Sequence, residues 1–173
     1  AVSGTLGFSY AGLDLLEGGY VDPSARGSEE LGDLAPFIDT YRAPHPPLGS
    51  GVAAAAAGAT AMMDLSDGPA ADATRMATAS NVVIEFDRQA IEEEAWKLQA
   101  PALICRVDPV WWVLQGGEEH GMLAAFPPDT PLPDGFRVIG RVRARTEGEK
   151  ACAMFDGEIL RGAWDHFDSD SVH

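Results

Sequence analysis

Two carboxylates and a hydroxyl lie close together in segment 63–69, which reads Met-Asp-Leu-Ser-Asp-Gly-Pro. Asp64 falls at the end of a predicted strand, and Ser66 and Asp67 follow in the turn before a predicted helix. Hard divalent cations such as Mg²⁺ prefer oxygen ligands and usually take one or two carboxylates together with substrate phosphates. The free N–H groups at a helix start bind phosphate oxygens. The segment therefore indicates a place where metal and phosphate are held side by side, as phosphoryl transfer requires.

The same residue types also cap helices, and for this segment alone capping without catalysis is the commoner explanation. An EF-hand loop is excluded because Pro69 occupies the sixth position counted from Asp64, where that loop needs glycine. A Walker A loop is excluded because the sequence contains no Gly-Lys-Ser or Gly-Lys-Thr. The chemistry of this segment therefore depends on what else the fold brings beside it.

Two further segments carry groups that suit ligand binding. Segment 115–121 reads Gln-Gly-Gly-Glu-Glu-His-Gly, and its paired glycines allow close approach of the backbone to a ligand, although a helix end followed by solvated acids is the commoner explanation. Segment 162–167 reads Gly-Ala-Trp-Asp-His-Phe and either closes over a flat ligand or simply docks the end of the chain. We do not assign His120 or His166 as metal ligands, since isolated histidines are far more often plain polar contacts.

The elements that must position these segments are interleaved strands and helices. We predict strands at 1–7, 60–65, 82–86, 122–126, 136–142, 151–155 and 158–160. We predict helices at 9–18 (capped by Ser9), 33–41, 50–58, 69–80 (with Asp72 and Arg75 opposite its apolar face), 88–99 and 108–114 (capped by Asp108). Because the late strands follow one another with short turns, the pattern predicts an α+β fold, with a mixed β-sheet covered by helices.

Composition narrows the classes of function. The 173 residues suit a single domain, 1–173, with an exposed insertion loop at 19–32, and 46% hydrophobic content is typical of a globular protein. A net charge of -15 disfavours nucleic-acid binding and attracts cations. The two cysteines are far apart, which argues against a disulfide framework or a cysteine zinc site. The sequence shows no membrane-length apolar run and no signal peptide, so we expect a cytoplasmic protein without a membrane partner.

Taken in order, these segments resemble the carboxyl-terminal half of the thiamine-monophosphate kinase family, which belongs to the superfamily related to aminoimidazole ribonucleotide synthase. The resemblance covers nearly the whole chain and rests on five stretches in the family's order. These are Val-Ser-Gly-Thr-Leu-Gly at 2–7, Tyr-Arg-Ala-Pro at 41–44, Asp-Leu-Ser-Asp-Gly at 64–68, Gly-Gly-Glu-Glu-His at 116–120 and Gly-Ala-Trp-Asp-His-Phe at 162–167.

The resemblance implies transfer of the γ-phosphoryl group of ATP to thiamine monophosphate, with Mg²⁺ as cofactor. It implies that Asp64 and Asp67 bind Mg²⁺, that Ser66 contacts ATP, and that Glu118 and Trp164 bind thiamine monophosphate. Thiamine carries a cationic thiazolium and a flat pyrimidine, which a carboxylate and a tryptophan face both attract. No side chain is assigned as a catalytic base, since positioning and charge neutralisation account for much of phosphoryl transfer.

Phe8, Pro69 and Glu119 depart from the family pattern, which commonly has Asp, Leu and Asp at these positions. The resemblance also implies an amino-terminal domain, absent from these residues, that carries further Mg²⁺ ligands, most ATP contacts and the interface of a homodimer. The chain opens as though a strand were already in progress, so we expect a piece of a longer protein that lacks kinase activity alone. Two alternatives stay open: another ATP-dependent synthase or maturation protein of the superfamily, or a non-catalytic binding module.

Overall fold

Short apolar strands and amphipathic helices follow one another along residues 1–161, the part of the chain that the computed structural model describes. The helices are α1 (Phe8–Glu17), α2 (Gly27–Leu31), α3 (Ala35–Arg42), α4 (Ser50–Ala56), α5 (Pro69–Ser80), α6 (Arg88–Trp96), α7 (Gln99–Cys105) and α8 (Pro109–Gln115), with a 3₁₀ turn at Gly32–Leu34. The strands are β1 (Val2–Ser3), β2 (Ala61–Asp64), β3 (Val82–Phe86), β4 (Met122–Ala125), β5 (Phe136–Arg137), β6 (Gly140–Ala144), β7 (Cys152–Phe155) and β8 (Glu158–Ile159).

The strands form two four-stranded sheets. The first has the order β2-β4-β1-β5 and is antiparallel throughout, with Leu123 of β4 opposite both Val2 and Met63. The second has the order β6-β3-β7-β8, in which β3 and β7 run parallel and pair Ile84 with Ala153. The α+β class with mixed strand directions is confirmed, but the strands divide between two sheets.

Helix α5 contacts both sheets, since it packs against β2 of the first and against β3 and β7 of the second. Its small apolar residues Ala70, Ala73 and Ala77 are fully buried and allow this close packing. Asp72 is fully buried as well, so its expected place on the polar face of this helix is wrong. The helix therefore carries a buried carboxylate near its start, about one turn from the predicted phosphate-binding segment.

Two other expectations about the elements are corrected by the structure. The predicted strand 136–142 is two strands, because the chain leaves the first sheet after Arg137 and joins the second at Gly140. The predicted helix 88–99 ends at Trp96 and α7 follows, because Pro101 has no N–H to continue the ladder and its ring would clash with the carbonyl of Lys97. A continuous apolar pattern does not reveal either break.

Ser9 does not cap α1, which begins at Phe8 after Gly7 turns the chain with a φ of 78°. Segment 19–32 is largely exposed and contains the short helix α2. The Asp156-Gly157 pair forms the expected turn between β7 and β8, with positive φ at both residues. Within residues 1–161, no helix is both long and apolar enough to cross a membrane, and Cys105 and Cys152 are both free.

Candidate functional site

The carboxyl end of β2 delivers Asp64 to the surface beside the loop that precedes β4. Asp64 pairs with Met122 in the sheet, and the next residue, Leu65, donates its amide N–H to the carbonyl of Gly121 at 2.8 Å. Leu65 is buried, whereas the Asp64 side chain is 62% exposed. The strand thus anchors the chain through Leu65 and leaves the Asp64 carboxylate open to solvent.

Segment 115–121 lies directly on the turn 64–68. The amide N–H of Glu118 donates to the carbonyl of Ser66 at 3.0 Å. A Cβ on Gly117 would lie only 2.2 Å from that same carbonyl oxygen, so a larger residue would push the two loops apart. Gly68 has a φ of 97°, and a Cβ there would lie 2.8 Å from the carbonyl oxygens of Gln115 and Gly116. The paired glycines therefore make a close approach to this turn, and their approach to a ligand stays a prediction.

Asp72 and Arg75 of α5 fix the other side of the turn. One Asp72 oxygen accepts the amide N–H of Asp67 at 3.0 Å, and the other accepts from Nη1 of Arg75 at 2.6 Å. Nη2 of Arg75 forms an ion pair with the Asp67 carboxylate. Burial raises the pKa of Asp72, against the opposing effect of these hydrogen bonds. Asp72 was missed as part of the site, although a carboxylate in the first turns of a helix is a known partner for the preceding amides.

Glu119 is a second buried carboxylate, and it ties segment 115–121 to the start of α1. Its Oε1 accepts the amide N–H of Ser9 at 3.0 Å, which supplies the cap that α1 lacks from its own sequence. Burial raises the pKa of Glu119 to about 7, while the amides of Ser9 and Phe8 oppose that rise. Its partner lies 110 residues away in sequence, so no local pattern could have identified this role.

Glu118 and His120 adopt left-handed backbone conformations, with φ of 75° and 51°. Such conformations are strained for residues other than glycine and are common at functional sites. The His120 ring lies between two carboxylates, with Nδ1 3.7 Å from Oδ2 of Asp64 and Nε2 3.9 Å from Oε2 of Glu118. The Asp64 and Glu118 side chains therefore face one another across a single imidazole ring.

A narrow cleft of about 60 Å³ opens beside Glu118, and Ser66 and Gly117 form part of its wall. Two aromatic side chains, Tyr10 and Tyr41, complete the lining together with Ser9 and Leu13. The cleft is too small to enclose a whole nucleotide, so it can hold only part of a ligand. A larger cavity of about 390 Å³ lies elsewhere, and its lining includes none of the predicted site residues that fall within 1–161.

Trp164 lies outside the described residues, and its proximity to Glu118 stays a prediction. The last described residue, Arg161, accepts a hydrogen bond through its carbonyl from Nε2 of Gln115 at 3.1 Å. Gln115 directly precedes the paired glycines. The described chain therefore ends next to the loop that carries Glu118.

The oxygen ligands around the turn suit a Mg²⁺ ion only in part. Asp64 and Asp67 offer partly exposed carboxylates, the hard donors that this ion prefers. Within residues 1–161, no group of three or more histidine, cysteine or acidic side chains is placed to hold a metal ion by itself. The residues therefore fit an ion that takes its remaining ligands from phosphates, water or another part of a longer protein.

The fold and this site together define a class, namely an α+β domain that presents two carboxylates and a hydroxyl at a strand-to-helix turn. Comparison of the sequence with curated proteins gives a particular family. The chain is 40% identical over 169 residues to a thiamine-monophosphate kinase of Mycobacterium tuberculosis, an alignment that covers 96% of this chain and 46% of that protein. It is 39% identical over 140 residues to that of Corynebacterium glutamicum, covering 80% and 39%.

Solved structures agree with this match. A structure described as AaThiL complexed with AMPPCP and TMP superposes with a TM-score of 0.73 and 28% identity, covering 96% of this chain and 50% of that one. Thiamine monophosphate kinase from Aquifex aeolicus gives 0.70 and 29%, covering 92% and 50%. No family model matches the sequence. The chain spans about half the length of its relatives and is homologous to the carboxyl-terminal half of the thiamine-monophosphate kinases.

Proposed function

We propose that this chain acts as the carboxyl-terminal part of a kinase that transfers the γ-phosphoryl group of ATP to thiamine monophosphate. The observation that supports this most is the hydrogen bond from the Glu118 amide to the Ser66 carbonyl at 3.0 Å. Through it, the loop proposed to bind substrate lies against the turn proposed to bind metal and nucleotide. The comparisons support the same function, because the matched relatives are kinases of this substrate.

Asp64 and Asp67 are proposed to bind Mg²⁺, and Ser66 to contact ATP. When bound, Mg²⁺ would neutralise the negative charge of the transferring phosphates and help to align them. Asp64 is held in place by the strand ladder, and Asp67 by the bond from its amide to Asp72. These contacts fix the backbone that carries both carboxylates before a ligand arrives, which reduces the cost of ordering the site on binding.

Glu118 and Trp164 are proposed to bind thiamine monophosphate. The Glu118 side chain is 72% exposed beside the cleft, where a carboxylate attracts the positive thiazolium ring. The carbonyl of Arg161 accepts a hydrogen bond from Gln115, which lies three residues before Glu118 in the sequence. An indole face close to Glu118 would add a cation–π contact to the thiazolium ring.

A longer protein is proposed to supply what these residues lack. Two carboxylates are few for a Mg²⁺–ATP complex, so further metal ligands and most ATP contacts would come from an amino-terminal domain. We propose that the complete protein is a cytoplasmic homodimer, and that residues 1–173 alone do not catalyse the transfer.

The proposal is tested by joining this chain to the amino-terminal half of the Mycobacterium tuberculosis relative. The product is assayed for thiamine diphosphate and ADP formed from thiamine monophosphate and ATP with Mg²⁺. We expect both products in equal amounts. Asp64→Asn should lower the rate at least 100-fold, which corresponds to on the order of 3 kcal/mol of transition-state stabilisation. Asp22→Asn should change the rate little, since this exposed carboxylate accepts hydrogen bonds from Ser24 and lies in the loop before α2.

Two results would contradict the proposal. ADP formed with another phosphorylated acceptor but not with thiamine monophosphate would favour a different enzyme of the superfamily. A folded hybrid protein that binds thiamine monophosphate without any dependence on Mg²⁺, and forms no product, would favour a non-catalytic binding module.

A further inference from the structure

One arginine stands directly beside the proposed metal ligands and is held by carboxylates at both ends of its guanidinium. Nη1 of Arg75 donates to Asp72 at 2.6 Å, and Nη2 pairs with Oδ2 of Asp67. Asp72 is fully buried and also accepts the Asp67 amide, so it cannot swing away without losing two hydrogen bonds. Asp72 therefore holds Nη1 of the Arg75 guanidinium in place, while Nη2 lies against the Asp67 carboxylate.

Asp64 differs from Asp67 in this respect. In the part of the chain that the structure describes, its ion-pair contact is with His120 at 3.7 Å, and no lysine or arginine reaches it. Asp64 is open to an incoming cation, whereas Asp67 already has one. Two positive groups that share a single carboxylate repel each other.

We propose that Arg75 serves as the counter-ion of Asp67, and that a divalent cation binds to Asp67 only by displacing the Arg75 guanidinium, which stays attached to Asp72. This inference rests on the proposed metal-binding role of Asp64 and Asp67. If the guanidinium must be displaced, Arg75 weakens the binding of a divalent cation when no nucleotide is bound. A bound nucleotide would favour the displaced arrangement, because its phosphates attract both the metal ion and the released guanidinium.

The expected size of the effect follows from the charges. A single and a double positive charge about 5 Å apart in water repel each other enough to change a binding constant by about tenfold. Arg75→Gln removes the charge but keeps an amide that can donate to Asp72. We therefore expect this substitution to tighten metal binding by about tenfold.

The test is titration of the 173-residue chain with Mn²⁺ alone, in which electron paramagnetic resonance measures the free ion. The acidic surface also binds Mn²⁺ weakly, so the component lost in Asp64→Asn defines the site. Arg75→Lys keeps the charge and is expected to bind as the parent chain does. Arg88→Gln is the matched control, since Arg88 is also an exposed arginine paired with two carboxylates, Glu92 and Asp156.

Tighter binding in Arg75→Gln, with Arg75→Lys and Arg88→Gln unchanged, is the expected result. Unchanged binding in Arg75→Gln would overturn the proposal, and weaker binding would do so too, since it would mean that Arg75 orients Asp67 for the metal. If Asp64→Asn and Asp67→Asn leave Mn²⁺ binding of the parent chain unaltered, the proposed metal site itself fails. Circular dichroism checks that each variant is folded. The Arg75 side chain is 53% exposed, so we expect its substitution to leave the fold intact.

Discussion

The buried carboxylate of Glu119 gives the folded protein a specific dependence of stability on pH. Its pKa lies at about 7 in the folded state, against an ordinary value of 4.5, so the folded state binds this proton more tightly than the unfolded state does. Below the ordinary pKa both states are protonated, and the stabilisation is fully present. As pH rises towards 7 the unfolded state loses its proton first, and the free energy of unfolding therefore falls.

The magnitude follows from the two pKa values. Each pH unit between them corresponds to about 1.4 kcal/mol, so the rise from 4.5 to about 7 corresponds to about 3 kcal/mol. Glu119→Gln keeps an oxygen that accepts the Ser9 amide but has no proton to lose. We expect the free energy of unfolding of the parent chain, minus that of Glu119→Gln, to fall by about 3 kcal/mol between pH 4.5 and pH 8.

Urea unfolding of both proteins in metal-free buffer at several pH values measures this difference. The control is Gly49→Ala, which changes no titratable group and meets no atom within 4 Å, so it should give a flat difference over the same range. A difference for Glu119 that is flat, or that rises with pH, would refute the assignment of a buried, readily protonated carboxylate at the start of α1.

Three further outcomes are expected. Gly117→Ala places a methyl group 2.2 Å from the Ser66 carbonyl and should cost about 1–3 kcal/mol in urea unfolding, whereas Gly49→Ala meets no atom within 4 Å and should cost little. Trp112→Phe removes the 2.7 Å bond from the buried indole Nε1 to Asp14 and should lower the unfolding free energy by about 2 kcal/mol, which thermal melting would detect. The purified 173-residue chain should form no thiamine diphosphate from ATP and thiamine monophosphate, and measurable product would contradict the need for an amino-terminal domain.

Elements bounded by strong local signals could be predicted from the sequence. Helix α5 begins at Pro69 and ends before Asn81, which takes a left-handed conformation, and both limits match the expectation. Strand β3 follows at once with the expected bounds. The division of the strands between two sheets could not be predicted, because it depends on which distant strand each segment pairs with, and apolar periodicity carries no such information.

The candidate site shows the same division. The sequence indicates Asp64, Ser66 and Asp67 because their spacing at a strand-to-helix turn is a local pattern. The paired glycines indicate that the backbone beside Glu118 approaches another group closely. The buried supports could not be found in the same way. From the sequence alone, Asp72 is predicted as a polar helix residue and Glu119 as a solvated acid. Their buried positions depend on the amides of Asp67 and Ser9, to which they are hydrogen-bonded. Local sequence thus points to candidate ligand-binding groups more readily than to the buried groups that hold them in position.

The central claim is that the turn 64–68 and the loop carrying Glu118 form one site, with the substrate on the Glu118 side. The most direct test is the Michaelis constant for thiamine monophosphate of Glu118→Gln in the hybrid protein completed with the amino-terminal half of the Mycobacterium tuberculosis relative. We expect this constant to rise by about tenfold while that for ATP stays unchanged, as loss of a charge contact to the acceptor alone would produce. An unchanged constant for thiamine monophosphate, in a hybrid that still depends on Asp64, would contradict the claim.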